Sequence, residues 1–169
     1  MIEEPQDNAS KRHKELYNIL INSPYFQHMI IKQEVSIRDL VPTYAAPRHK
    51  CDWYIKDLGV VIEVHGEQHY KPVNFGGVHP HIARDQFGGV KRRDNMKRTA
   101  LKAEGYTYVE IKYDEKLSES MLIDKIEHAA SADKDNTKCS TEVTQSLKEK
   151  TSLDVQQRRN VLRNRSRRK

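Results

Sequence analysis

The run Val60-Val61-Ile62-Glu63-Val64 is the most apolar stretch of the chain, and it carries a single carboxylate. A strand apolar at successive positions is covered on both faces, so this run predicts the central strand of a sheet with layers packed on each side. Glu63 is then part-buried, and a part-buried carboxylate needs a partner. Just upstream, Cys51 to Lys56 reads as another strand, and Asp57-Leu58-Gly59 as a tight turn joining the two into a hairpin. A turn centred on Asp57 and Leu58 sets Asp52 opposite Glu63. Directly opposed side chains share a face, with Cβ atoms about 4.5–5.5 Å apart. Two carboxylates that close repel each other unless a cation lies between them. Oxygen ligands on a partly open site suit Mg²⁺, Mn²⁺ or Ca²⁺.

The rest of the chain supplies the layers. Ser10 to Ile21 predicts a helix, with Ser10 as N-cap and Leu16, Ile19 and Leu20 at helical spacing. Val35-Ser36-Ile37 reads as a short strand. Residues 66–90 read as a long loop holding five glycines, His69, His79 and His81; a loop of that length inside a compact domain is usually functional. Val90 to Glu104 is a basic helix stopped by Gly105, Tyr106 to Ile111 a strand, and Leu117 to Ala130 an amphipathic helix. The expected fold is α/β: a mixed sheet of a few strands flanked by helices over residues 1–130. A polar, basic tail follows over residues 131–169, disordered alone or marginally helical over 140–163.

Charge separates the same two regions. The chain has 30 Lys and Arg against 24 Asp and Glu, a formal net charge of +6. Residues 134–169 hold 11 basic and 4 acidic residues, which leaves 19 basic and 20 acidic for residues 1–133. The excess is concentrated at the end, in Arg158, Arg159, Arg163, Arg165, Arg167, Arg168 and Lys169. Such a block binds polyanions through counterion release. Lys91, Arg92, Arg93, Lys97 and Arg98 add phosphate-binding candidates on the basic helix. A membrane partner is not expected, since no run approaches the roughly 18 apolar residues of a span. Nor does the acidic start, Met1 to Lys11, resemble a secretory leader. Cys51 and Cys139 are too few and too far apart for a disulfide scaffold or a four-cysteine zinc site. A reducing setting follows, cytoplasm or nucleus. Gly-rich phosphate loops are absent.

His69 stands four residues beyond the central strand, where a neutral imidazole can take a proton from water. Asp94 and Lys97 lie one turn apart and share a helix face. His65, His69, Cys51 and the pair His79/His81 match no standard zinc spacing. Trp53, if exposed, would stack on a base; a strand tryptophan is more often core.

Taken in order, the strand Asp52, the motif IEVHGEQHY, RDNMKR on a helix and then GYTYVEIKY resemble the PD-(D/E)xK nuclease superfamily. The similarity is closest to the branch related to very-short-patch-repair endonucleases and to homing endonucleases with an E-D-x-H-D arrangement. It covers roughly residues 10–115, and NFGGV at 74–78 also resembles a loop of related sequences. Glu15 in KRHKELYNIL matches that branch's helical Glu, Asp52 its strand Asp, Glu63 the Glu of IExDG, His69 the His of GxQH, and Asp94 the helix Asp. Two departures stand out. His65 replaces an Asp that relatives often carry, and no lysine follows Glu63 in the ExK position. His65, His69 or Lys97 is expected to substitute.

The resemblance implies a restriction-endonuclease-like fold and a Mg²⁺- or Mn²⁺-dependent DNA endonuclease. The metal ligands would be Asp52, Glu63 and the main-chain carbonyl of Val64. His69 would serve as base, with Asp94 and Glu15 as its orienting carboxylates and Lys97 completing the catalytic set. The alternative is a non-catalytic nucleic-acid-binding protein on the same fold. A monomer and a homodimer are both open.

Overall fold

The structure is a computed structural model, and it describes residues 1–73, 77 and 79–132. The chain divides into a unit Met1–Ala130 and a second unit Ser131–Lys169. The basic block at 158–169, the helix expected over 140–163, Cys139 and most of the 74–78 motif lie outside the described residues.

The elements run α1 (Lys11–Asn22), β1 (Ile31–Ser36), α2 (Ile37–Leu40), β2 (Lys50–Ile55), β3 (Val60–His65), α3 (Pro80–Ala103) and β4 (Thr107–Lys112). A last helix, α4, spans residues 119–132. Four strands form one mixed sheet in the order β1-β2-β3-β4, antiparallel through β3 and parallel between β3 and β4. The apolar run is therefore an interior strand, as expected, and every residue of β3 but Val64 is buried. The hairpin register also agrees, with Trp53 opposite Ile62 and Ile55 opposite Val60. Gly59 closes the turn at φ +62°, a conformation that suits a residue without Cβ.

Each sheet face has its own core. Trp53, Ile55, Val60, Ile62, Val109 and Ile111 pack against Leu16 and Leu20 of α1 and Leu122 and Ile126 of α4. Val61 and Tyr108 pack against Leu101 of α3 and Ile37 of α2. The Ser10 hydroxyl caps α1 by accepting from the His13 N–H at 3.3 Å. Trp53 is fully buried and packs against the rings of His13 and Tyr17 on α1, so it is core and not a base-stacking residue.

The structure corrects the sequence reading at two places. β1 starts at Ile31 and ends at Ser36, and Ile37 opens the short helix α2. More consequentially, α3 begins at Pro80, ten residues before the expected start. Pro80 sits at the first helical position, where its missing N–H costs nothing. Gly88 and Gly89 read as loop residues but lie inside this helix, between half-buried Phe87 and Val90, which keep the spacing of the buried Ala83 and Asp94. Neither has a neighbour within 4 Å of where a Cβ would stand. Gly88→Ala and Gly89→Ala are therefore each expected to raise stability by about 0.5–1 kcal/mol. Chemical denaturation checks this, and a loss of stability in either variant would contradict an uninterrupted helix.

Candidate active site

Helix α3 turns a mixed stripe toward the sheet. Ala83 and Leu101 mark its apolar ends, and the buried positions between them are Asp94 and Lys97. Three-residue spacing places both on one face, as expected. Each meets a complementary group. His69 Nδ1, on a 3₁₀ turn (Glu67–His69), is 2.7 Å from Asp94 Oδ2. Lys97 Nζ donates to Glu63 Oε1 at 2.5 Å and to the Lys50 carbonyl at 3.2 Å.

Glu63 is only 2% exposed. Burial pushes its carboxyl up to about 8, with the neighbouring Lys97 ammonium pulling the other way. Burial also opposes ionisation of Asp94, but the His69 hydrogen bond and the nearby histidine and lysine charges prevail, and the carboxyl lies below its ordinary range.

The sequence sets Asp52 face to face with Glu63, and the structure gives a different arrangement. Trp53 packs in one core, while Cys51 and its partner Val35 pack in the other. Residues two apart normally share a face, so β2 changes faces at Asp52. Beside it Glu34 of β1 stands in the left-handed region at φ +50°, and neither residue is paired in the β1–β2 ladder. Asp52 Oδ2 thereby reaches into the sheet and accepts the Val64 N–H at 2.6 Å. The same oxygen lies 3.6 Å from His13 Nε2. Burial works against the Asp52 charge, yet His13 and the Val64 N–H hold the carboxyl below its usual range. The Asp52 hydrogen bond raises the His13 imidazole in turn, against desolvation.

Glu15 is not brought to this site. It pairs with Arg12 at 3.5 Å and Lys11 at 3.9 Å on the outer side of α1. Positions 13 and 15 are about 200° apart on a helix, so only one of them can face the sheet. Leu16 and Leu20 fix that face, and His13 lies three residues before Leu16. The sequence reading missed His13, although the helical spacing that found Leu16 points to it.

His65, at the end of β3, is buried, and its ring stacks on His69 with centroids 4.1 Å apart. Its Nδ1 is 3.2 Å from Glu110 Oε1 of β4 and 3.3 Å from the Tyr70 hydroxyl. Tyr70 donates to Glu110 at 2.7 Å, and Arg98 also pairs with Glu110. The His65 hydrogen bond leads in holding the Glu110 carboxyl far below its usual range, with burial opposing and Tyr70 and Arg98 assisting. Such a carboxyl contributes stability above its ordinary pKa of 4.5, and this is lost as pH falls through its folded value. Glu110→Gln is expected to cost about 2 kcal/mol at neutral pH. The gap to wild type should shrink in melts taken progressively below pH 4.5, and a gap constant with pH would refute the charge's role.

A polar cavity of about 290 Å³ opens here, lined by His65, His69, Tyr70, Lys91, Asp94, Arg98 and Glu110. A larger groove of about 450 Å³, lined by Val41, Tyr44, Met96 and Ala100 among others, holds neither His69 nor either ion pair. Among the basic candidates, Lys97 is buried against Glu63, Arg98 is tied to Glu110, and Lys91, Arg92 and Arg93 are exposed. Lys91 lies 5.2 Å over the Phe87 ring.

Asp52 is held by the Val64 N–H and His13, and Glu63 by Lys97. Among the described residues no helix is long and apolar enough to cross a membrane. No family model and no curated protein matches this chain, and its site is characterised by its own chemistry.

Proposed function

We propose that the chain is a metal-dependent DNA endonuclease of the PD-(D/E)xK type, with a restriction-endonuclease-like fold. The observation that carries this reading is the 2.5 Å contact between Lys97 Nζ and Glu63 Oε1. A lysine supplied by α3 stands against the strand carboxylate where the strand itself has none. The His69–Asp94 pair, one turn back on the same helix face, adds a base beside it.

A phosphodiester resists hydrolysis because its charge repels the nucleophile and its leaving alkoxide is poor. A Mg²⁺ or Mn²⁺ held by Asp52, Glu63 and the Val64 carbonyl would polarise the phosphate and stabilise the leaving oxygen. The remaining work falls to the chain. Asp94, holding His69 Nδ1, fixes the tautomer and leaves Nε2 to accept a proton from water. The His65 ring restricts His69 by stacking. Lys97 balances the Glu63 charge, and Lys91 with Arg98 offers cationic contacts to a phosphate in the cavity.

The test is cleavage of perfect and mismatch-bearing duplexes with Mg²⁺ or Mn²⁺, with a gel shift on the same substrates. Metal-dependent cutting, lost in Asp52→Ala and His69→Ala, is the expected result. DNA that is bound and never cut would replace this reading with a non-catalytic binding protein.

A further inference from the structure

The histidine pair supports a second metal chemistry, different from that of the oxygen donors at Asp52 and Glu63. One donor atom from each of His65, His69 and Asp94 lies within 4.8 Å of the other two. His65 is 3% exposed, and its Nε2 is buried with no hydrogen-bond partner. A buried imidazole nitrogen left unpaired is costly unless it meets a ligand. Its other nitrogen is held by Glu110 and Tyr70 at 3.2 and 3.3 Å. A carboxylate behind one ring nitrogen is the usual support of a metal-bound histidine: it fixes the tautomer and makes the free nitrogen a better donor. The polar cavity reaches all three donor residues, which gives an ion a route in.

We propose that His65, His69 and Asp94 form a site for a transition-metal dication such as Zn²⁺ or Co²⁺, with Glu110 as the positioning residue for His65. Two imidazoles and one carboxylate favour these borderline ions over Mg²⁺, which prefers oxygen ligands throughout. An imidazole lone pair lies in its ring plane, and the two rings are stacked 11° from parallel. Loading therefore unstacks them. His69 is the ring that turns, because it stands on a single 3₁₀ turn with no buried residue, whereas His65 is anchored in β3. Binding does not depend on the nuclease reading. Its consequence does: an ion on His69 removes the lone pair that would accept the water proton, so loading inhibits cleavage.

The test uses the full chain, stripped of metal, without DNA. It is titrated with Co²⁺ and followed by visible absorption, then dialysed against Zn²⁺ in excess Mg²⁺. A single tight equivalent that Mg²⁺ does not displace is expected, lost in His65→Asn and in Asp94→Asn. Glu110→Gln should weaken it about 10–100-fold. His69→Asn, at a less buried position, gives the same loss should the His65 variant fail to fold. The exposed His79 and His81, with Nδ1 atoms 3.0 Å apart, are the competing surface ligands. A His79→Asn/His81→Asn variant should keep the equivalent. Its loss in that variant, displacement by Mg²⁺, or binding unchanged by both Asp94→Asn and His69→Asn would overturn the proposal. A nuclease that fails to cut DNA while binding the ion would leave this site standing and remove only its inhibitory role.

Discussion

Lys97→Met is expected to destabilise the fold by about 3 kcal/mol above about pH 8, where the Glu63 carboxyl is ionised, the low end for breaking a buried ion pair. Glu63, with a side chain 3% exposed, loses the cation 2.5 Å away and has no water to replace it. It escapes part of the penalty by taking up a proton, because burial already raises its carboxyl to about 8 and loss of Lys97 raises it further. The pH dependence follows. Wild type and variant share the cost of a raised carboxyl from its ordinary 4.5 up to about 8; above that the wild-type carboxyl is ionised against Lys97 and costs no more, while the variant's penalty keeps growing toward its higher folded value. Urea unfolding of Lys97→Met should thus show a small loss at acid pH and a larger one above neutrality. Adding Glu63→Gln should recover most of the stability, since neither charge is then buried alone. Cleavage should not recover, because both groups belong to the proposed site. A Lys97→Met variant as stable as wild type at alkaline pH would show that the pair is not formed as described.

His69→Ala is expected to lower the cleavage rate by about 100–1,000-fold, the contribution of a positioned general base. Asp94→Asn acts through His69 and should cost about 10–100-fold. The two effects should not add, because Asp94 has nothing left to orient once the imidazole is gone. Initial rates of the two single variants and the double variant decide this. Multiplying effects would mean that Asp94 works independently of the 2.7 Å contact.

Much of this architecture is legible in local pattern. Val60–His65 is uniformly apolar around one carboxylate, and it lies inside the sheet. Ser10 announces α1, and the Asp57 turn gives the hairpin its register. Asp94 and Lys97 share a face because three residues are nearly one turn, and both are buried. The failures have a common cause in tertiary override of local signals. Gly88 and Gly89 read as breakers, yet they lie within the helix, where Ala83, Phe87, Val90 and Asp94 recur at helical spacing. A kink at Asp52 and Glu34 is invisible to simple alternation, and it moves the Asp52 carboxylate from a face into the sheet plane. Glu110 meets His65 only because β4 returns parallel to β3 after the α3 crossover. No sequence spacing encodes that contact. Glu15 against His13 is different, because helical phase alone separates the two.

In the proposed site, carboxylates delivered by β2 and β3 and a histidine held by α3 act together in hydrolysis. The most direct test is the rate at which wild type and Asp52→Asn nick supercoiled plasmid in Mg²⁺, each at matched DNA occupancy. Mg²⁺-dependent nicking by wild type, abolished by chelator, is expected, with an Asp52→Asn variant that binds the plasmid equally and nicks it at least about 1,000-fold more slowly. Nicking of equal rate in both proteins, or none by wild type with Mg²⁺ or Mn²⁺, would contradict it.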